Sequence, residues 1–204
     1  CLTLTSILAY SLATKRSARV EHNVLIAGFG GQGILFLGKL LAYSGMIEGK
    51  EVTWFPSYGA EVRGGTANCT VIISDDMIGS PIVRNPEILV VMNEASLNKF
   101  QPRLKKEGLL IFDSSLIKKP ELRSDIHVAD VPASEIAASI GNTKFANMVM
   151  LSALLAKAGI IKEESALKAL EELTPPKRRK SLDINKDAIT KGRKYIEDKK
   201  SKDN

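Results

Sequence analysis

Val24-Leu25-Ile26-Ala27-Gly28-Phe29-Gly30-Gly31-Gln32-Gly33-Ile34, running on through Leu35 to Ile47, is the stretch whose reading decides the fold. Four apolar residues lead into four glycines. An apolar helical pattern follows, with Ile34, Leu37 and Leu41 one turn apart and Leu40 and Ile47 beside them. A buried strand, a glycine turn and a helix in that order give the spacing Gly28-x-Gly30-x-x-Gly33 its meaning. Gly28 is expected to allow the tight turn and Gly30 the approach of a phosphate to the backbone. Gly33 is expected to let the helix pack close to the sheet. The free N–H groups and positive dipole end of the new helix then face an anion. The alternative is a tight turn that binds nothing.

The residues after this unit narrow the ligand. A nicotinamide dinucleotide would call for an acidic residue at the tip of the second strand. That strand reads Val52-Thr53-Trp54-Phe55 and ends in Pro56, with Glu51 at the wrong end. The next stretch, Ser57-Tyr58-Gly59-Ala60-Glu61-Val62-Arg63-Gly64-Gly65-Thr66, is glycine-rich and reads as a long loop. Arg63 carries a guanidinium suited to a phosphate, and Gly64 and Gly65 bring backbone N–H groups close to a ligand. A surface pair of Arg63 with Glu61 is the plainer alternative. Following strand two, the loop is expected beside the glycine turn at the carboxyl edge of the sheet, where open α/β folds bind ligands.

Further along, Ala67–Ser74 reads as a hairpin or edge strand, with Cys69 packed rather than reactive. Glu87–Met92 reads as a buried parallel strand, and Asn93 as the cap of the helix after it. Gly108–Asp113 and His127–Val131 are two more strands, with Pro132 opening a helix. Asp113 reads as a turn former more readily than as a site residue. His22 and His127 have no partners at triad spacing. A buried helix starts near Asn147 and stops at Gly159, an amphipathic one spans Glu163–Leu173, and Asn185 is expected to cap the last. The fold class is therefore α/β: a Rossmann-like, mostly parallel sheet flanked by helices, in a single domain with a C-terminal helical segment. Residues 1–22 are expected to be an extension outside the fold, 23–174 the domain, and 175–204 a basic tail with one helix.

Composition sets the outer limits. At 44% apolar and 25% charged, the 204 residues have the make-up of an ordinary globular chain. No apolar run approaches the roughly 20 residues of a membrane span. The net charge of +6 sits in residues 175–204, which hold eleven Lys or Arg and five Asp or Glu; the rest carries eighteen of each sign. A nucleic-acid binder would spread its basic face over the body. Cys1 and Cys69 build neither a disulfide framework nor an iron–sulfur or zinc site, so a cytoplasmic location is expected.

Gly28-Phe29-Gly30-Gly31-Gln32-Gly33-Ile34 followed by Ser57-Tyr58-Gly59-Ala60-Glu61-Val62-Arg63-Gly64-Gly65 resembles the gamma subunit of 2-oxoacid:ferredoxin oxidoreductases. The second motif looks most like the 2-oxoglutarate type, with pyruvate and 2-oxoisovalerate types near it, and the resemblance runs from about Val24 to Leu173. It implies a subunit inactive alone, in a complex that decarboxylates a 2-oxoacid, reduces ferredoxin and releases an acyl-CoA. It implies alpha, beta and delta partner subunits, which hold thiamine diphosphate with Mg and the iron–sulfur clusters. This chain would bind coenzyme A as co-substrate, with no cofactor held tightly. The resemblance carries over Gly28, Phe29, Gly30, Gly31, Gln32 and Gly33 as a phosphate cradle. Ser57, Tyr58, Arg63, Gly64 and Gly65 become the loop against the coenzyme, with no catalytic residue and no metal. Which 2-oxoacid is used, and whether the isolated chain is a homodimer, stay open. The alternatives are a free-standing NAD(P)H-binding reductase, with Arg63 on a 2′-phosphate, and a regulatory nucleotide-binding module.

Overall fold

The computed structural model describes residues 20–57 and 66–203. Strand β1 (Glu21–Phe29) starts two residues ahead of the expected domain boundary at 23. Helix α1 (Ile34–Ile47) follows the glycine turn, as the apolar periodicity predicts. Then come β2 (Glu51–Ser57), β3 (Thr66–Ser74), β4 (Ile88–Val91), α2 (Glu94–Phe100), β5 (Leu109–Asp113) and β6 (His127–Val131). Four helices close the chain: α3 (Ala133–Ser139), α4 (Ala146–Ala158), α5 (Glu163–Leu173) and α6 (Arg179–Asp203).

The six strands form one sheet in the order β2-β3-β1-β4-β5-β6. β4, β5 and β6 run parallel to β1. β3 lies antiparallel between β1 and β2, so β2 points the same way as β1. Of the two expectations at Ala67–Ser74 the hairpin holds, since β3 pairs antiparallel with β2, and the edge strand is corrected: β2 is the edge, and β3 is interior. The physical reason is that β3 buries both its faces. Cys69, Val71 and Ile73 join the core under α1, while Ile72 is buried on the other side.

Alternation along the central strands feeds two cores. Val24 and Ile26 of β1 and Ile88 and Val90 of β4 join the core covered by α1, α3, α4, α5 and α6. Leu25, Ala27, Leu89 and Val91 face the opposite side, against Leu97 and Phe100 of α2. Asn93 caps α2 as expected, its side chain accepting from the Ser96 N–H at 2.7 Å. Helix α4 is buried over most of its length and stops at Gly159, whose φ of 64° closes it in the left-handed region.

The last helix departs from its expected start. The basic run Lys177–Lys180 is not a loop ahead of a cap at Asn185. A short 3-10 turn (Pro176–Arg178) leads into α6 at Arg179, and Asn185 sits inside the helix. Once Pro175 and Pro176 have broken α5, nothing prevents the charged residues from forming a helix, and packing downstream holds it. Ala188, Ile189 and Ile196 are buried in the main core. Gly192 permits a tight crossing with α4: a Cβ there would lie 3.0 Å from the Val149 carbonyl oxygen. Pairs of Lys186 with Glu171 and Arg193 with Glu163 tie α6 to α5, and Lys199 reaches Asp130 on β6.

Cys69 is packed, as its sequence setting predicts. It is fully buried, donates to the Ile34 carbonyl oxygen at 3.7 Å, and burial pushes its thiol up to about 12. Below the ordinary thiol range the group is neutral folded and unfolded alike. Above it the unfolded chain sheds a proton that the folded chain keeps. Stability is therefore expected to fall as pH rises from the ordinary thiol range toward about 12. Cys69→Ala should flatten that alkaline loss in urea titrations, and native Cys69 should resist alkylation that labels the unfolded chain.

Candidate functional site

The glycine turn sits at the carboxyl edge of the sheet, between the ends of β1, β2 and β4. Gly28 still belongs to β1. Its role is room rather than a turn: a Cβ there would lie 2.7 Å from both Gln32 Oε1 and Ile34 Cδ1. The turn itself is closed by the Gln32 N–H donating to the Phe29 carbonyl at 3.2 Å, with φ of 95° at Gly31 and 76° at Gly33.

Gln32 is a latch. Its Oε1 accepts from the Phe29 N–H at 2.6 Å and from Asn93 Nδ2 at 3.4 Å, while its Nε2 donates to the Met92 carbonyl at 2.9 Å. One side chain thus ties the end of β1 to the end of β4, and its amide is occupied by protein rather than facing a ligand. Gln32→Leu would strip partners from the Phe29 N–H and the Met92 carbonyl. The expected cost is about 1–3 kcal/mol, read as a lowered urea midpoint.

Gly33 corrects its expected role too. It lies against α4, not the sheet: a Cβ would come 2.3 Å from Asn147 Nδ2, which donates to the Gly33 carbonyl at 3.3 Å. The close approach of α1 to the sheet occurs one turn later, at Gly38, where a Cβ would meet Cys69 Sγ at 2.4 Å. No side chain caps α1, and its first turn holds no acidic residue. Leu37 is the first residue of α1 whose N–H finds a backbone partner among the described residues, the Gly33 carbonyl, so the N–H groups of Ile34, Leu35 and Phe36 have none there. That end of α1 suits an anion.

The second predicted stretch is anchored where the reading placed it. Ser57 ends β2 opposite Asn68, and Thr66 opens β3 opposite Phe29. Both ends of the intervening segment therefore flank the glycine turn. Tyr58, Arg63, Gly64 and Gly65 lie outside the described residues. A cavity of about 340 Å³ runs between Phe29, Gly31, Leu35, Phe36, Ser57 and Ala67, so Ser57 and the turn share one recess.

Other candidates resolve elsewhere. Asp113 is fully buried and accepts from the Ser115 N–H at 3.0 Å and from Ser134 Oγ at 2.6 Å, holding the turn after β5 and the start of α3. His22 and His127 each lie beside a glutamate, Glu87 at 3.4 Å and Glu107 at 3.5 Å, at the amino edge away from the glycine turn. Neither pair has a nucleophile. Among the described residues there is no group of three His, Cys, Asp or Glu able to hold a metal, and no helix is long and apolar enough to cross a membrane.

Two residues at the site were not singled out for it from sequence. Lys144, on the 3-10 turn Thr143–Phe145, lines cavities on both sides of the glycine turn. Asn147, read only as a helix start, braces Gly33. Both arrive from the far end of the chain, so no local spacing marks them.

The profile of the family described as pyruvate ferredoxin/flavodoxin oxidoreductase matches residues 23–195. The match reaches past Leu173 into α6. Ketoisovalerate oxidoreductase subunit VorA of Methanothermobacter thermautotrophicus is 37% identical over 165 residues, 81% of this chain and 34% of its own length. The chain thus spans about a third of that relative. 2-Oxoglutarate synthase subunit KorC of the same organism is 36% identical over 164 residues, 77% of this chain and 87% of its own. The crystal structure of a keto/oxoacid ferredoxin oxidoreductase gamma subunit from Geobacter sulfurreducens superposes with a TM-score of 0.74. It is 27% identical, over 85% of this chain and 96% of that one.

Proposed function

Because the chain belongs to the pyruvate ferredoxin/flavodoxin oxidoreductase family, we propose that it is the gamma subunit of a thiamine-dependent 2-oxoacid:ferredoxin oxidoreductase. The complex would convert 2-oxoglutarate or a related 2-oxoacid, with coenzyme A, to an acyl-CoA and carbon dioxide while reducing ferredoxin in the cytoplasm. Alpha, beta and delta subunits would carry the thiamine diphosphate, Mg and iron–sulfur clusters, and this chain would turn nothing over alone. The observation that carries the reading is the start of α1, with three N–H groups unpartnered among the described residues and no acidic residue in its first turn, beside a recess at the carboxyl edge.

These residues fit one phosphate of coenzyme A. The N–H groups of Ile34, Leu35 and Phe36 would meet its oxygens, and Gly30 and Gly31 leave the backbone unshielded. By the resemblance, Ser57, Tyr58, Arg63, Gly64 and Gly65 would contact the coenzyme. The bound coenzyme supplies the thiol that takes the acyl group. No carboxylate stands at the end of β2, which disfavours a dinucleotide ribose there.

The test is to purify a tagged chain from its own cells, identify its companions, and assay 2-oxoacid-dependent viologen reduction with coenzyme A. Stoichiometric thiamine and iron–sulfur subunits are expected. Gly30→Val and Arg63→Ala should each cut the coenzyme-dependent rate about tenfold or more. A chain recovered alone, inert toward 2-oxoacids and binding NADPH, would replace this reading with the free-standing reductase.

A further inference from the structure

The carboxyl edge of the sheet divides where its helices part. Helix α1 leaves β1 toward the core that holds Val24 and Ile26, and α2 leaves β4 toward the core that holds Leu25 and Ala27. β1 and β4 are neighbours in the sheet, so the crevice between their ends is the topological switch point. In open α/β folds a dinucleotide lies across that crevice. Here the pairing of the two strands continues into it. The Met92 N–H donates to the Ala27 carbonyl at 3.0 Å. Beyond that bond the Gln32 amide takes the place of a peptide group, accepting from the Phe29 N–H at 2.6 Å and donating to the Met92 carbonyl at 2.9 Å.

The recesses on either side are distinct. One of about 340 Å³ lies toward β2 and β3, against Phe29, Ser57 and Ala67. The other, of about 240 Å³, lies toward the ends of β5 and β6, against Met92, Leu116 and Ser134. Phe29 lines the first and Met92 the second, so the amide that bonds to both stands between them. Gly28 shows that the backbone is built around this amide, since a Cβ there would lie 2.7 Å from Gln32 Oε1. The first glycine of the Gly28-x-Gly30-x-x-Gly33 spacing thus makes room for a side chain of the protein itself.

Displacing the amide with a diphosphate is unfavourable for a reason of hydrogen bonding. Phosphate oxygens satisfy the Phe29 N–H as well as Oε1 does. They offer nothing to the Met92 carbonyl, which would lose its donor and face a negative charge. The geometry points to Gln32 as a specificity-determining residue of this edge. It bars ligands whose diphosphate must cross the crevice between β1 and β4, the dinucleotides of the NAD(P) class. It leaves the Ser57 side to a ligand that binds on one side of the crevice. This goes beyond the coenzyme A reading and does not depend on it, because a one-sided ligand of other chemistry satisfies it equally.

The test is NADH binding by the full chain, followed through nicotinamide fluorescence. Gln32→Ala should bind NADH about tenfold or more tightly than the wild type, because it removes the bridge and frees the Phe29 N–H. Gln32→Glu keeps the length, cannot donate to the Met92 carbonyl and repels a diphosphate, so it should gain nothing. AMP, which need not cross the crevice, should bind the three proteins alike in competition with a fluorescent analogue. Equal NADH binding by the wild type and Gln32→Ala, or an equal gain for AMP, overturns the assignment. Thermal melting checks that each variant is folded. Should Gln32→Ala fail to fold, the wild type decides by itself. Its Gln32 side-chain amide resonances should stay in place as NADH is added, and their displacement overturns the assignment. A chain recovered without thiamine-bearing companions would sink the proposed function and leave this test as it stands.

Discussion

Gly38→Leu is expected to leave almost no folded chain, because α1 touches the sheet at that residue. A Cβ at Gly38 would stand 2.4 Å from Cys69 Sγ and 3.1 Å from Trp54 Nε1. Cys69 is fully buried in the interior strand β3, with the partly buried Trp54 of β2 beside it, so the sulfur has little room to yield. Overpacking of this kind costs about 1–3 kcal/mol for one added group, and a leucine adds four carbons. Gly38→Ala is the graded version. Helix propensity favours alanine over glycine by about 1 kcal/mol, so a net loss of stability would measure the clash directly. Cys69→Ala in the Gly38→Ala background should restore much of the loss, because it removes the sulfur the new methyl strikes. Urea midpoints of the four proteins give the coupling. A Gly38→Ala chain more stable than the wild type would mean that α1 stands further from the sheet.

Gly33→Ala carries the second large effect, and it acts on stability and ligand binding together. Two penalties add at that residue. The left-handed φ of 76° costs a side chain about 1–2 kcal/mol. The new methyl would also lie 2.3 Å from Asn147 Nδ2, pushing apart the starts of α1 and α4. Gly31→Ala supplies the comparison, since its φ of 95° imposes strain while no atom of the described residues lies within 4 Å of a Cβ there. Gly33→Ala should therefore unfold at lower urea than Gly31→Ala, and Asn147→Ala should recover the difference between them but not the strain. In the assembled complex Gly33→Ala is expected to raise the KM for coenzyme A by about tenfold or more, because the open N–H groups of α1 move with its first turn. Equal losses for the two alanine variants would show that Asn147 yields freely.

Much of this arrangement is legible in the sequence because it is local. The run from Val24 through the glycines to Ile47 specifies strand, turn and helix by neighbouring residues alone. The capping of α2 by Asn93 and the arrest of α4 at Gly159 are equally local. Glu87–Met92 and Gly108–Asp113 read as buried parallel strands because both their faces are apolar, and they are. Ala67–Ser74 shows where that logic stops: its interior place comes from pairing on both sides, with β1 and β2, which no local pattern specifies. The start of α6 was hidden by charge: Lys177–Lys180 has no apolar period, and the helix there is held by Ala188, Ile189 and Ile196 further on.

By itself, then, the sequence determines the α/β class, the glycine turn with its anion-seeking helix start, and the motif pair that marks the family. Only the tertiary structure decides that β3 enters the sheet antiparallel between β1 and β2, which carries Ser57 to the turn. It also decides that Gly33 faces Asn147, and that Lys144 lines cavities on both sides of the turn. The physical reason is range. Turns, caps and helices answer to residues within a few positions of each other, whereas strand order and helix docking answer to which apolar faces bury together across the whole chain.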